Sequence, residues 1–156
     1  GNVGQELVRL LQPFQCKIRV QDVADRSNFC REWNVVETTF EEIIAESDIV
    51  TLHVPLTDKT QNLIDKSVLA KMKPSAFLIN TSRGQVIQQS DLHQALVSGE
   101  IAGAGLDVFS EEPPTDTEFL QLPNLIVTPH IGGNAHEAVE AMGRAAIKNL
   151  VAYFKL

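Results

Sequence analysis

The chain opens on Gly1-Asn2-Val3-Gly4, the spacing of the second half of a G-x-G-x-x-G turn, and an apolar-periodic segment follows at once. Glycine at the first position lets the backbone approach a pyrophosphate, which the free N–H groups and dipole of a helix N-terminus stabilise. Glycine at the second permits close packing of helix on strand. Taken alone, the two glycines are equally well a plain capping turn. Asp22 changes the balance, because it stands 18 residues after Gly4 at the end of a strand pattern. A carboxylate there can accept hydrogen bonds from an adenosine ribose, and it opposes a 2′-phosphate, so NAD is favoured over NADP. Arg26, four residues further on, could meet a phosphate, but a solvated surface arginine is the plainer reading.

These residues need elements to hold them. Val3, Leu7, Val8, Leu10 and Leu11 follow helical spacing up to Pro13, and Lys17-Ile18-Arg19-Val20 alternates like a strand. Thr39 and Glu42 form a capping box ahead of Ile43-Ile44-Ala45. Strands are predicted over 48–52, 76–80, 102–108 and 125–127, and helices over 65–72, 90–97 and, capped by Asn134, on to about Phe154. Residues 111–122 read as a proline-bearing loop. This alternation predicts an α/β fold, a doubly wound parallel sheet with helices on both faces. Such sheets bind ligands beyond the carboxyl ends of their strands, where Asp22, His53, Arg83, Asp107 and His130 all fall.

At 156 residues, with 44% hydrophobic and 21% charged, the sequence is one folded domain's worth of chain. Its formal charge of -7 opposes binding to nucleic acid or anionic lipid and points to a small-molecule ligand. No apolar run approaches the length of a membrane helix, and no signal-peptide pattern opens the chain. Cys16 and Cys30 lack metal-ligand spacing, so neither a metal site nor a disulfide framework is expected, which fits a reducing, cytoplasmic setting. Cys16, Cys30 and Trp33 read as packing residues, and His93 and His136 as surface residues on helices.

Further marks follow in a fixed order: Leu52-His53-Val54-Pro55-Leu56-Thr57, Asn80-Thr81-Ser82-Arg83-Gly84, Gly103 to Phe109 with Glu111-Glu112-Pro113, and Thr128-Pro129-His130-Ile131-Gly132-Gly133. With these, the chain resembles the D-isomer-specific 2-hydroxyacid dehydrogenases over its whole length. The resemblance implies an Arg, Glu and His catalytic set: Arg83 in the N-T-x-R-G-like turn, Glu112 as the acid directly before proline, and His130 in P-H-I-G-G. It also implies that Gly1, Asn2, Val3 and Gly4 meet the pyrophosphate and Asp22 the ribose. Val54 and Pro55 would take the adenine side, Thr81 and Ser82 the cofactor backbone, and Asp107 the nicotinamide carboxamide. Arg83, His130, Gly132 and Gly133 complete the implied cofactor contacts.

Interconversion of a 2-oxo and a 2-hydroxy acid calls for these types in any case. A proton must be given to the carbonyl oxygen in one direction and taken in the other, which suits histidine at neutral pH. A carboxylate beside it favours imidazolium and holds the ring, and arginine's planar fork grips a carboxylate at two points. Each residue has a plainer competitor: Arg83 in a surface ion pair, Glu112 as a solvated loop acid, His130 as a structural loop residue. Their joint occurrence at strand ends weighs against that.

In the strand order 3-2-1-4-5-6 the sequence lacks the first, central strand, and a separate substrate domain is also expected to be absent. Residues 1–156 are thus expected to be a dinucleotide-binding domain truncated at its N-terminus, inactive by itself. The alternative is a non-catalytic cofactor-binding or interaction module. Assembly as a homodimer or higher oligomer is expected, and a phosphoglycerate-dehydrogenase-like enzyme is slightly favoured.

Overall fold

Residues 1–155 are described in a computed structural model. Helix α1 (Asn2–Leu11) follows the apolar periodicity and buries Val8. A single 3₁₀ turn at Gln12–Phe14 then takes Pro13, where the missing N–H costs nothing. Strand β1 (Arg19–Val20), helix α2 (Ser27–Glu32) and strand β2 (Val36–Glu37) form a small parallel unit whose core is Val8, Cys30 and Val35. Trp33 packs on that core, and the Arg9 guanidinium lies 5.5 Å from its ring centroid.

Helix α3 (Phe40–Glu46) starts at the predicted capping box, with the Glu42 N–H donating to Thr39 Oγ1 at 3.2 Å. The remaining elements are β3 (Ile49–Leu52), α4 (Lys66–Leu69), β4 (Phe77–Asn80), α5 (Gln89–Ser98), β5 (Gly103–Leu106), α6 (Thr117–Leu120), β6 (Leu125–Val127) and α7 (His136–Phe154). Strands β3, β4, β5 and β6 pair in that order, all parallel. Side chains alternate between sheet faces. Val50, Leu52, Leu78, Ala104 and Leu106 therefore share one buried face with Leu69 of α4, Leu92 and Leu96 of α5 and Phe119 of α6.

This is a Rossmann-like, doubly wound α/β fold, in which β1 and β2 form a two-stranded sheet and β3 to β6 a four-stranded one. The register lines up Leu52, Asn80, Leu106 and Val127, so the segments following all four strands emerge along one edge.

Several local expectations need correction. The strands are shorter than their apolar runs, because pairing stops where the chain turns to form the edge loops. Helices α2 and α6 and strand β2 carry no predicted counterpart. Asn134 does not cap α7; Ala135 holds that position without a side-chain hydrogen bond, and the Asn134 N–H instead closes a turn onto Ile131 O at 2.9 Å. Cys16 is exposed rather than packed, and His93 is half-buried, its ring 5.3 Å from that of Phe119.

Candidate active site

The N-terminal end of α1 bridges the two sheets. Its first intrahelical bond runs from Gln5 N–H to Gly1 O at 3.0 Å, so the N–H groups of Asn2, Val3 and Gly4 precede the helical ladder. No side chain caps them, and the first turn holds no acid. Such a terminus suits an anion. A Cβ on Gly1 would meet nothing within 4 Å, which leaves the turn open to close approach from outside. Gly4 faces the His53 ring beyond β3, at 3.8 Å from an ideal Cβ position. Burial pushes the His53 imidazole below its ordinary pKa, and its Nε2 lies 3.1 Å from Thr51 Oγ1. Val54 packs against the main core and Pro55 O accepts from Thr60 Oγ1 at 2.6 Å, which fixes the loop after β3.

Asp22 reaches this turn from the end of β1. Its Oδ2 is 3.2 Å from the Gly1 nitrogen, which sets the acid beside the glycine turn. The Ala24 N–H donates to Oδ1 at 3.1 Å and Arg26 Nε to Oδ2 at 2.7 Å. The Ala24 N–H and then the Arg26 guanidinium hold the Asp22 carboxyl far below the ordinary carboxylate range. Arg26 is therefore not a free surface arginine: it is the ion-pair partner of Asp22, and both side chains are partly buried.

At the end of β4, Asn80 is fully buried and builds the turn that presents Arg83. Its Nδ2 donates to Arg83 O at 2.9 Å, while its Oδ1 accepts from Ser82 N–H at 3.0 Å and Ser82 Oγ at 2.8 Å. Three of the Asn80 amide's four hydrogen-bonding directions are thus used within one turn, and Thr81 and Arg83 stay exposed at the sheet edge. Gly84 then passes so close to the loop after β5 that a Cβ would lie 1.8 Å from the Phe109 carbonyl carbon. Only glycine fits. Gln85 Nε2 adds a hydrogen bond to Ser110 O at 3.0 Å.

The loop after β6 hangs on Asp107. This carboxylate, 5% exposed, accepts from Thr128 Oγ1 at 2.5 Å and Ile131 N–H at 2.9 Å on Oδ1, and from Gly132 N–H at 2.9 Å on Oδ2. Burial raises its pKa, but the three hydrogen bonds outweigh burial and leave it lowered. At Gly132 a Cβ would stand 2.9 Å from Oδ2. His130 lies between these anchors with φ +54°, an uncommon conformation for a residue with a Cβ. Its Nδ1 is 2.7 Å from Glu112 Oε2, and Glu112 Oε1 accepts from Phe109 N–H at 3.0 Å. The His130 hydrogen bond, then the Phe109 N–H and the nearby His130 and Arg83 charges, hold the Glu112 carboxyl below its ordinary value. An ionised carboxylate only accepts, so His130 Nδ1 carries the shared proton and Nε2 is left for a ligand. The pair is half-exposed, so it orients the ring more than it stabilises the fold.

Arg83, Glu112 and His130 thus belong to loops laced to one another on one sheet edge, the edge that the α1 turn reaches at His53 after β3. Residues 1–132 match the family described as D-isomer specific 2-hydroxyacid dehydrogenase, NAD binding domain. The chain belongs to this family. NAD is its cofactor, and the open, uncapped α1 turn with Asp22 beside it fits that group. A glyoxylate reductase of Thermococcus litoralis is 43% identical over 155 residues, covering 99% of this chain and 47% of the relative. The D-3-phosphoglycerate dehydrogenase of Bacillus subtilis is 38% identical over 138 residues, 88% of this chain and 26% of the relative. Among solved structures, a D-lactate dehydrogenase of Aquifex aeolicus complexed with NAD and lactic acid superposes with TM-score 0.89 at 30% identity, over 99% of this chain and 51% of that one. The chain spans about half the length of the curated glyoxylate reductase it matches. No helix among the described residues is long and apolar enough to cross a membrane.

Sequence reasoning missed Asn80 as the builder of the Arg83 turn, although it stood in the quoted motif. It also missed that Asp107 anchors the His130 loop. A buried polar residue at the last position of an otherwise apolar strand was the available signal for Asn80.

Proposed function

We propose that the full-length protein interconverts a small 2-oxo acid and its D-2-hydroxy acid with NAD(H), and that Arg83, Glu112 and His130 are its catalytic residues. The observation that carries this is the His130 Nδ1 to Glu112 Oε2 hydrogen bond of 2.7 Å at the same sheet edge as the α1 turn. When bound, the cofactor supplies or accepts the hydride. Gly1, Asn2, Val3 and Gly4 would hold its pyrophosphate and Asp22 its ribose. Val54, Pro55, Thr81, Ser82, Gly132 and Gly133 would line its path along the strand ends, and Asp107, through its remaining acceptor site, would take the carboxamide.

His130 Nε2 gives a proton to the substrate oxygen during reduction and recovers it during oxidation. Glu112 holds the ring in the tautomer that leaves Nε2 outward and offsets the charge of the imidazolium. Arg83 presents a planar donor pair to the substrate carboxylate and polarises the adjacent carbonyl.

Among candidate acids, glyoxylate is supported first, by the 43% identity to a glyoxylate reductase over nearly the whole chain. Hydroxypyruvate follows, on 38% identity over 154 residues to a hydroxypyruvate reductase, and phosphoglycerate after it, on 38% identity over a shorter span. Cytoplasmic location and assembly as a homodimer or higher oligomer go with this reading as expectations from the sequence. The test is steady-state NADH oxidation by the full-length protein with glyoxylate, hydroxypyruvate, pyruvate and phosphohydroxypyruvate. The expected result is turnover with the highest kcat/KM for glyoxylate or hydroxypyruvate. NADH binding without turnover on any of the four would favour the non-catalytic module instead.

A further inference from the structure

We propose that Gln85 and Gln89 are positioning residues for the reaction: by clamping Ser110 from two sides they hold the Glu112 loop in register with the Arg83 turn. The loop after β5 carries Glu112 out of the fold, and its first residues decide where the carboxylate ends. Phe109 is buried against Gly84, and its N–H donates to Glu112 Oε1 at 3.0 Å. Ser110, the next residue, is exposed, so packing does little to fix it. Its polar atoms are engaged by two glutamines of the segment that follows Arg83. Gln85, in the 3₁₀ turn Gly84–Val86, donates from Nε2 to Ser110 O at 3.0 Å. Gln89, the first residue of α5, accepts on Oε1 from Ser110 Oγ at 2.9 Å and from the Ser110 N–H at 3.4 Å. One loop residue thus has its N–H, carbonyl and hydroxyl all held by side chains 21 to 25 residues away.

The two sides of this clamp differ in rigidity. On the Arg83 side, Asn80 builds the turn from within, and the Ile64 N–H bond to Val86 O at 3.1 Å ties the next residues to the body of the domain. On the other side, residues 110–113 are exposed, and among the described residues the one hydrogen bond of Glu112 outside its own loop is that to His130. The His130 loop has its separate anchor in Asp107. Loss of the clamp therefore lets the Glu112 carboxylate part from Nδ1 while Arg83 and the imidazole stay in place. The consequence is a fall in kcat without a matching rise in KM, because the substrate carboxylate still meets Arg83. Hydrogen-bond polarity sharpens the test, since position 89 must accept and position 85 must donate. A carboxylate at 89 still takes both Ser110 donors, whereas a carboxylate at 85 faces the Ser110 carbonyl oxygen with no proton to offer. Both changes add the same charge to the same region, so each is the control for the other.

The inference rests on the reading of Glu112 and His130 as the proton-transfer pair, and His130→Asn measured alongside separates the two. Steady-state rates with the oxo acid that the wild type turns over fastest, and NADH affinity by calorimetry, are determined for full-length Gln85→Ala, Gln85→Glu, Gln89→Ala and Gln89→Glu. Loss of one or two neutral hydrogen bonds should lower kcat by about 3- to 10-fold in each alanine variant, with KM for the oxo acid and NADH affinity within about twofold. Gln89→Glu should recover most of the rate lost in Gln89→Ala, and Gln85→Glu should fall at least as far as Gln85→Ala. Equal rates in the two glutamate variants, full rates in both alanine variants, or a KM or NADH dissociation constant that rises in step with the fall in kcat would overturn the positioning role while the proton-transfer pair stands. If the wild type shows no turnover, or His130→Asn keeps a rate within a few-fold of it, the reading of the pair fails and the clamp's role fails with it.

Discussion

Replacing Asp107 by asparagine removes one oxygen and the charge from the buried group that ties down the His130 loop. In its better orientation the new amide keeps Oδ1 toward Thr128 and Ile131, and turns its NH₂ against the Gly132 N–H, which now faces Oδ2 at 2.9 Å. Hydrogen bonds to a charged group contribute about 1.5–3 kcal/mol each, and neutral ones about 0.5–1.5 kcal/mol. One bond is therefore lost outright and two are weakened. Relief from burying a charge offsets part of this, leaving a net cost of roughly 2–3 kcal/mol. If the loop opens locally, the open population rises by about 30- to 140-fold, since 1.4 kcal/mol is tenfold. Amide hydrogen exchange at Ile131 and Gly132 should accelerate by that factor, and kcat should fall because His130 is no longer held, with NADH affinity changed much less. Unchanged exchange at both amides, together with a loss of NADH binding, would refute the anchoring argument and assign Asp107 to the cofactor alone.

Gly84→Ala places a methyl 1.8 Å from the Phe109 carbonyl carbon, a clash of backbone with backbone that no side-chain rotation relieves. It should lower the unfolding free energy by about 3 kcal/mol in urea titrations and separate the Arg83 turn from the Glu112 loop. Arg83→Lys keeps the charge but loses the planar fork, so KM for the oxo acid should rise and kcat fall while NADH affinity, measured by fluorescence, stays nearly intact. The carboxyls of Asp107 and Glu112 lie below their ordinary values when folded. The stability they confer is complete above the unfolded carboxylate range of about pH 4 and is lost as pH falls through the folded values. Denaturation midpoints should therefore drop on acidification below about pH 4, less steeply in Asp107→Asn.

What the sequence revealed and what it hid divide along the range of the interactions. The α3 capping box lies within four residues and was legible, because Thr39 and Glu42 satisfy each other locally. The helix at Thr117–Leu120 carries the same kind of local signal, Asp116 accepting from Phe119 N–H at 3.1 Å, but the surrounding prolines masked it. Strand β1 showed in the alternation of Lys17-Ile18-Arg19-Val20, whereas β2 is two residues long and exists only through its pairing with β1, which no window of periodicity can register. In the site, the residue types at the strand ends were legible from motif order. That Arg26 pairs with Asp22, and that Asp107 fastens Thr128, Ile131 and Gly132, was not. Arg26 stood in view at helical spacing from Asp22 in what is a loop, and Asp107 lies 21 residues or more from its partners. The left-handed backbone at His130 likewise carries no glycine or asparagine to announce it.

The central claim is that His130 Nε2 is the proton donor and acceptor of the reaction, oriented by Glu112 through Nδ1. Its most direct measurement is single-turnover NADH oxidation by the full-length protein carrying His130→Asn, with the oxo acid that the wild type turns over fastest and with NADH affinity determined on the same sample. Loss of a positioned acid–base group should cost about 10²- to 10⁴-fold in rate while NADH binds nearly as before. A rate within a few-fold of the wild type, with the cofactor still bound, would contradict the account.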